Sequence, residues 1–466
     1  MENKGILLPV ASLPGHHGIG DFGDSAYEFI RWLEARNFNY WQILPINPLG
    51  PGMSPYMTTC SEAIDTRYIC LDYLKKEGLL ENVKNFKANA DKIDFIGSDK
   101  FKKTYLKKAY KNFMQANPNG LDKFIKSHPW VIKYAIFNVF DELNNQAPWN
   151  TWPHEQMFYL EEHKKGEFPK KYKNKIEFMI WCQMVAYKQW NKIRNYAHRH
   201  NVKIIGDLPF YVGYGSVDCW GNKDAFDFDE NYNPRNVAGC PPDYFSADGQ
   251  YWGNPCFDFE KMAKKNYAFY VNRLGAVSKI CDIVRLDHFR AFYGYYAIPY
   301  GRSDARVGEW KDGPRHGLFN AFFKKFPKAE IIAEDLGYMN DEVYALRDDF
   351  NLPGMYILQF KIFEPKYEDT SNLIVYTGTH DNDTIAGWAK NLDDGQKDYI
   401  LKKIGGTWDK DFVKQFMDWV WTVPSKMTII PIQDYLLLDN SARWNWPGTF
   451  GSPNWEWKLA KIPNDK

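Results

Sequence analysis

Ile283-Val284-Arg285-Leu286-Asp287-His288 decides the fold: four residues of a buried strand, then a carboxylate at its carboxyl end. The pattern recurs at Ile331-Ile332-Ala333-Glu334-Asp335 and at Val375-Tyr376-Thr377-Gly378-Thr379-His380-Asp381. Glu334 follows Asp287 by 47 residues and Asp381 follows Glu334 by 47, which leaves room for intervening helices. Strands that run apolar and end in acids are the signature of a β/α barrel, whose active groups gather at the carboxyl ends of the strands. Three carboxylates meeting there suit chemistry at a sugar's anomeric carbon: one attacks, one gives and takes a proton, one stabilises the cationic ring.

Working outward, five more strand candidates appear: Gly5–Pro9, Tyr40–Pro45, Val202–Asp207, Gly354–Leu358 and Met427–Ile430. Together with the first three they make eight, and their mostly helical connections predict a closed parallel (β/α)8 barrel. Ser25 and Glu28 stand at capping-box spacing at the head of a helix running to Arg36. Helices are also expected over Phe259–Ser278 and Gly317–Phe326, and from an Asn340 cap to Phe350. The chain's 466 residues exceed what a minimal barrel needs. The excess falls in two places. Residues 71–200 read as a lysine-rich helical insertion after the second strand, closing with a helix over Ile176–His198. Residues 208–254, rich in Gly, Pro, Asp, Tyr and Trp, read as an irregular insertion after the third strand that covers the substrate. The whole, 1–466, is expected to be one catalytic domain, with its Trp- and Asn-rich tail after Asp439 folding back over the barrel mouth.

Composition excludes some functions. Lys plus Arg number 59 against 58 Asp plus Glu, so no charge imbalance points to nucleic acid or an anionic membrane. No apolar run is long enough to cross a bilayer. Seven cysteines without CxxC spacing, and a start lacking a basic leader followed by an apolar stretch, lead us to expect a cytoplasmic protein with reduced thiols. Aromatics reach 17%, with 18 Trp and 30 Tyr. Most must fill a core, and the remainder offer flat faces to sugar rings.

Among the strand-end acids, Asp287 is the candidate nucleophile. Arg285, two residues back, points to the same face and supplies a cation to keep it ionised. An Asp–Arg pair that merely closes the barrel top is the competing reading. Glu334 is the candidate acid/base, a role that requires a raised pKa, and Asp381 beside His380 is the candidate stabiliser. A metal site at His380-Asp381-Asn382-Asp383 is disfavoured because no second histidine cluster has ligand spacing. Asp207, ending the third strand, is a fourth acid at the rim.

The sequence resembles the 4-α-glucanotransferases known as amylomaltases or disproportionating enzymes, glycoside hydrolase family 77. The shared motifs run from end to end: Ser12-Leu13-Pro14-Gly15, Tyr40-Trp41-Gln42, Ser54-Pro55-Tyr56, Gly206-Asp207-Leu208-Pro209-Phe210-Tyr211, Pro241-Pro242-Asp243-Tyr244-Phe245-Ser246, Trp252-Gly253-Asn254-Pro255, Arg285-Leu286-Asp287-His288, Ala333-Glu334-Asp335-Leu336-Gly337, Gly378-Thr379-His380-Asp381-Asn382-Asp383, Ala442-Arg443, Asn445 and Asn454-Trp455. The resemblance implies a (β/α)8 barrel with inserted subdomains, no metal or organic cofactor, and transfer of α-1,4-glucan segments to the 4-hydroxyl of glucose or maltooligosaccharide acceptors. It implies the same roles for Asp287, Glu334 and Asp381. It also implies glucan contacts from Tyr56, Asp207, Gln250, Trp252, Gly253, Asn254, Arg285, His288, His380 and Asn454. The sequence departs from the family at Ile64-Asp65-Thr66-Arg67, at Ala291 and at Pro314-Arg315, all away from the acids. An α-amylase-like hydrolase using the same three acids, or a non-catalytic glucan-binding protein, would be told apart from a transferase by products.

Overall fold

A computed structural model describes residues 3–163, 166–242, 247–364 and 369–464. Asp243–Ser246, the end of one quoted motif, lies outside them. Eight parallel strands form one sheet: β1 (Lys4–Leu7), β2 (Tyr40–Gln42), β3 (Lys203–Leu208), β4 (Ile283–Leu286), β5 (Glu330–Ala333), β6 (Met355–Ile357), β7 (Ile374–Tyr376) and β8 (Met427–Pro431). Their spatial order is β6-β7-β8-β1-β2-β3-β4-β5. The Ile, Val and Leu residues of β4, β7 and β8 are buried throughout, as parallel strands covered on both sides require. The seam between β5 and β6 has no ladder. There the Ala333 amide donates to the Pro353 carbonyl at 2.9 Å. Asp335 accepts from the Met355 amide at 2.7 Å and pairs with Arg347 at 2.5 Å. A buried carboxylate thus stitches the barrel where the strands do not, and the eight-stranded sheet is nearly closed.

Between β2 and β3 the chain is helical, with Phe95–Ala116, Trp130–Leu143 and the 27-residue helix Lys173–Arg199 as its long members. The last helix spans about 40 Å and holds the loop after β2. Buried Gln183 brackets Ile64, accepting from its amide at 2.9 Å and donating to its carbonyl at 2.8 Å. Gln189 does the same to Cys70 at 2.8 and 3.1 Å. Each glutamine supplies a strand's worth of hydrogen bonds to a segment that has no strand partner, which removes the penalty of burying its backbone. Lys102, 1% exposed, reaches from the Phe95–Ala116 helix to Asp21 at 2.7 Å and to the carbonyls of Arg67 and Ile69 at 2.7 and 3.0 Å. The family departure at Asp65 and Arg67 lies here as a buried ion pair at 2.5 Å.

Three expectations need correction. The helix after β1 is Asp24–Ala35 with Gly23 at its N-cap. Ser25 makes no capping box, because its hydroxyl donates to the Pro14 carbonyl at 2.6 Å. The helix expected over Phe259–Ser278 is two, Phe259–Lys264 and Ala268–Ile280, broken where Asn266 and Tyr267 take left-handed φ values of 50° and 52°. Residues 208–254 are less irregular than their composition suggests. Asn236–Cys240 and Gln250–Pro255 form an antiparallel sheet with Gly294–Pro299 and Glu309–Asp312, in the order Gln250–Pro255, Asn236–Cys240, Gly294–Pro299, Glu309–Asp312. A register shift between Val237 and Gly239 breaks the alternation that would have revealed these strands. Asn340 caps the Asp341–Asp349 helix as expected, accepting from Val343 at 3.1 Å. Among the described residues, no helix is long and apolar enough to cross a membrane.

Candidate active site

The carboxyl ends of β3, β4 and β5 set the centre. Asp207 faces Arg285 across the β3–β4 ladder. Arg285 Nη1 therefore reaches both Asp207 oxygens, at 2.8 and 2.9 Å, and then Asp287 Oδ1 at 3.1 Å. Burial works against the guanidinium charge, but the Asp207 and Asp287 carboxylates outweigh it and hold Arg285 well above its ordinary pKa. The Tyr56 hydroxyl donates to Asp207 Oδ2 at 2.6 Å and lies 3.4 Å from His380 Nδ1, with the two rings stacked at 4.9 Å. Burial and the Asp207 charge push the phenol well up, so it stays neutral and donates.

Just past Asp287 the chain turns sharply. His288 sits at φ 51°, in the left-handed region that few non-glycine residues occupy and that histidine enters more readily than most. The turn aims its backbone amide at Glu334 Oε2, 2.6 Å away. Glu334 is tied twice more to this strand end, donating through its own amide to the Leu286 carbonyl at 3.0 Å and accepting at its carbonyl from Phe289 at 3.0 Å. These three bonds hold Glu334 beside Asp287. Burial raises the Glu334 carboxyl well above the usual range, and the Asp287 charge adds to this, against the pull of Arg285. Burial likewise pushes Asp287 up to about 7; Arg285 opposes this, while Asp207 and Asp381 reinforce it. Of the two, Asp287 has the cation in direct contact and Glu334 has an amide. A proton shared by the pair therefore resides on Glu334.

Asp381 stands on the loop after β7, its side chain half exposed. Asn445 Nδ2 donates to its Oδ1 at 2.7 Å, and Arg443 donates to its carbonyl at 2.7 Å while pairing with Asp383. The tail after Asp439 thus returns over the barrel mouth and fixes this acid. His380 is buried, 3.4 Å from Asp381 by way of Nε2, and burial lowers its pKa. Burial and Arg290 depress His288 to about 4, so both imidazoles are neutral. Trp252 meets His288 edge to face at 5.1 Å and donates to Gln250 at 3.1 Å. Gly253, next in the chain, has φ 77°, a conformation that suits glycine.

The fold therefore brings together Tyr56, Asp207, Arg285, Asp287, His288, Glu334, His380 and Asp381, with Gln250, Trp252 and Gly253 alongside. Asn254 and Asn454 are placed differently. Both are buried, and their amides are engaged within the protein: Asn254 with the Val212 carbonyl at 2.9 Å, Asn454 with the Trp446 amide and Thr449 hydroxyl at 2.8 Å each. Sequence reasoning missed the two residues that hold Asp381, Arg443 and Asn445. Their only signal was membership of a motif in a distant tail. It also missed Arg273, buried on the Ala268–Ile280 helix, which donates to the carbonyls of Pro209, Phe210 and Tyr211 at 3.0, 3.0 and 3.2 Å and so shapes the loop after β3.

Comparison with known proteins adds an independent line. The family model described as 4-alpha-glucanotransferase matches residues 8–463. The 4-alpha-glucanotransferase of Streptococcus pneumoniae serotype 4 is 37% identical, over 99% of this chain and 94% of its own length. That of Aquifex aeolicus is 36% identical, over 99% and 96%. An amylomaltase from Streptococcus agalactiae, solved in complex with acarbose, superposes with a TM-score of 0.93 at 31% identity, covering 98% of this chain and 95% of that one.

Proposed function

The chain belongs to glycoside hydrolase family 77, the 4-alpha-glucanotransferases, and we propose that it performs the transfer by a retaining double displacement through a glucosyl ester on Asp287. The donor is an α-1,4-glucan. Asp287 attacks C1 of the bound glucose unit while Glu334 protonates the departing glycosidic oxygen, and the reducing-end fragment leaves. The 4-hydroxyl of an acceptor glucose or maltooligosaccharide then attacks the ester, giving its proton to Glu334, and the two inversions restore the α configuration. Such a mechanism calls for the two carboxyl groups about 5–5.5 Å apart. One observation carries the reading: Glu334 is anchored on the amide of the residue next to Asp287, and Arg285 is anchored on Asp287 itself. Acid and nucleophile are thereby adjacent yet electrostatically unequal, as their opposite protonation states demand.

Asp381 stabilises the oxocarbenium-like ring, oriented by Asn445. Tyr56, Asp207, Arg285 and His380 surround the reacting glucose, while Gln250, Trp252, Gly253 and His288 shield it from water, favouring a sugar hydroxyl over hydrolysis. Asn254 and Asn454 complete the set of glucan contacts, each also hydrogen-bonded within the protein. On this reading residues 71–200 are the helical insertion after β2 and 208–254 the covering insertion after β3. With its seven cysteines as thiols rather than disulfides, the chain is read as a cytoplasmic enzyme. Incubation with maltotriose tests the reaction: glucose together with a ladder of longer maltooligosaccharides is expected. Hydrolysis products alone would make the protein an α-amylase-like hydrolase instead.

A further inference from the structure

On the segments that follow the two central carboxylates, Arg290 and Tyr338 hold a pair of aromatic rings that the reaction described above does not use. Trp310, on the outer strand Glu309–Asp312, and Tyr338, four residues past Glu334, are 44% and 71% exposed. Their rings are stacked, with centroids 6.1 Å apart and planes 24° from parallel. They are not loose surface residues. The Arg290 guanidinium lies over the Trp310 ring at 3.5 Å and 5.4 Å from the Tyr338 ring. Arg290 Nε also donates to the Tyr338 carbonyl at 2.7 Å, and its Nη1 donates to the Gly294 carbonyl at 2.5 Å. Tyr296, on the neighbouring strand, supports Trp310 from the side at 5.3 Å.

This arrangement has a direction. Arg290 is three residues past Asp287, and Tyr338 is four past Glu334. Four residues of chain reach at most about 14 Å. Tyr338 therefore lies within that reach of Glu334, on the loop after β5, whereas Tyr56, Asp207 and His380 are carried by the loop after β2, by β3 and by the loop after β7. The flank of the acid/base is where the departing fragment's sugars lie and where the incoming acceptor must lie. A pair of exposed, nearly parallel rings held rigid by a cation presents a flat apolar face that loses little side-chain freedom when a sugar ring covers it.

We propose that Trp310 and Tyr338 form a platform that binds the distal sugars of a maltooligosaccharide acceptor, beyond the unit that receives the transferred glucan. The inference rests on the transferase reading above. A long acceptor spans from Glu334 to the platform, and free glucose does not. The platform is thus a device for preferring long acceptors over short ones.

The test compares glucose with maltohexaose as acceptor, at a fixed concentration of one donor, in the intact enzyme and in Tyr338→Ala, Trp310→Ala and Tyr338→Phe variants. Tyr338 is exposed enough for its truncation to leave the fold intact. The ratio of kcat/KM for maltohexaose to that for glucose is expected to fall by about five- to tenfold in Tyr338→Ala and Trp310→Ala, through KM for the long acceptor, and to recover in Tyr338→Phe. An unchanged ratio in both truncations, or an equal loss for both acceptors, overturns the platform. Failure of the transferase reading is separate: it would show as an absence of transfer to either acceptor in the unaltered protein.

Discussion

At the scale of single residues, the site is a problem in placing one proton between two acids. On the proposed reaction Asp287 must be ionised to attack and Glu334 protonated to assist departure. Burial lifts both, and only Asp287 touches Arg285. Activity should therefore fall on the acidic side as Asp287, at about 7, takes up a proton, and on the basic side as Glu334 loses its own. Glu334→Gln should lower transfer from maltotriose by about 10²–10⁴-fold. With a maltosyl fluoride donor, whose leaving group needs no proton, the same variant should keep the acidic limb and lose the basic one in the first step. A pH–rate series with both donors checks this. Asp287, Glu334 and Arg285 were legible in sequence because each stands at or within a strand's carboxyl end, where position in the chain nearly fixes direction in space, and Asp381 was legible from the motif that follows β7. Arg443 and Asn445 were not, because they reach Asp381 from a tail more than sixty residues on, and no periodicity records such a contact.

Among elements, what holds the mouth in shape is polar and buried. Gln183 and Gln189 bracket the loop after β2, Arg273 gathers the loop after β3, and Lys102 bridges the Phe95–Ala116 helix to Asp21. Lys102 is the sharpest case. Truncating it to alanine strands the Asp21 carboxylate and two backbone carbonyls without their donor. Breaking a buried pair in this way costs about 3–5 kcal/mol, measurable as a lower urea midpoint, and Tyr56 rides on the same loop. The eight strands were readable because their apolar runs are short, most of them hold Ile or Val, and polar or glycine residues interrupt the chain between them. The sheet over 236–255 was not, because a bulge and two glycines disrupt its alternation, and its partners come from residues 294–312. The helix start at Asp24 was misread for a related reason: a serine at cap spacing found a carbonyl in another loop instead of its own helix.

For the molecule as a whole, the site stores instability. The native Asp287 carboxyl holds its proton up to about 7, far above an unfolded aspartate. Between those values the folded chain binds more protons than the unfolded one, so stability falls as pH rises through the window and is lowest once Asp287 is ionised. Asp287→Asn removes that penalty. The variant should be more stable than the parent by about 1–2 kcal/mol at pH 8, a figure reduced for the partly exposed carboxyl and for the partner Arg285 loses, and should show no gain near pH 4. Thermal melts at the two pH values decide it. The seam between β5 and β6, the turn at His288 and the returning tail all serve one geometry, which on the proposed reaction presents a single carboxylate to an anomeric carbon. Trapping tests that most directly. A fluorine-substituted maltosyl fluoride, whose electron-poor ring slows release of the sugar ester, should add its glycosyl mass to the peptide containing Asp287. Addition to a peptide carrying Glu334 or Asp381 instead, or turnover of the reagent with no adduct formed, would contradict the account.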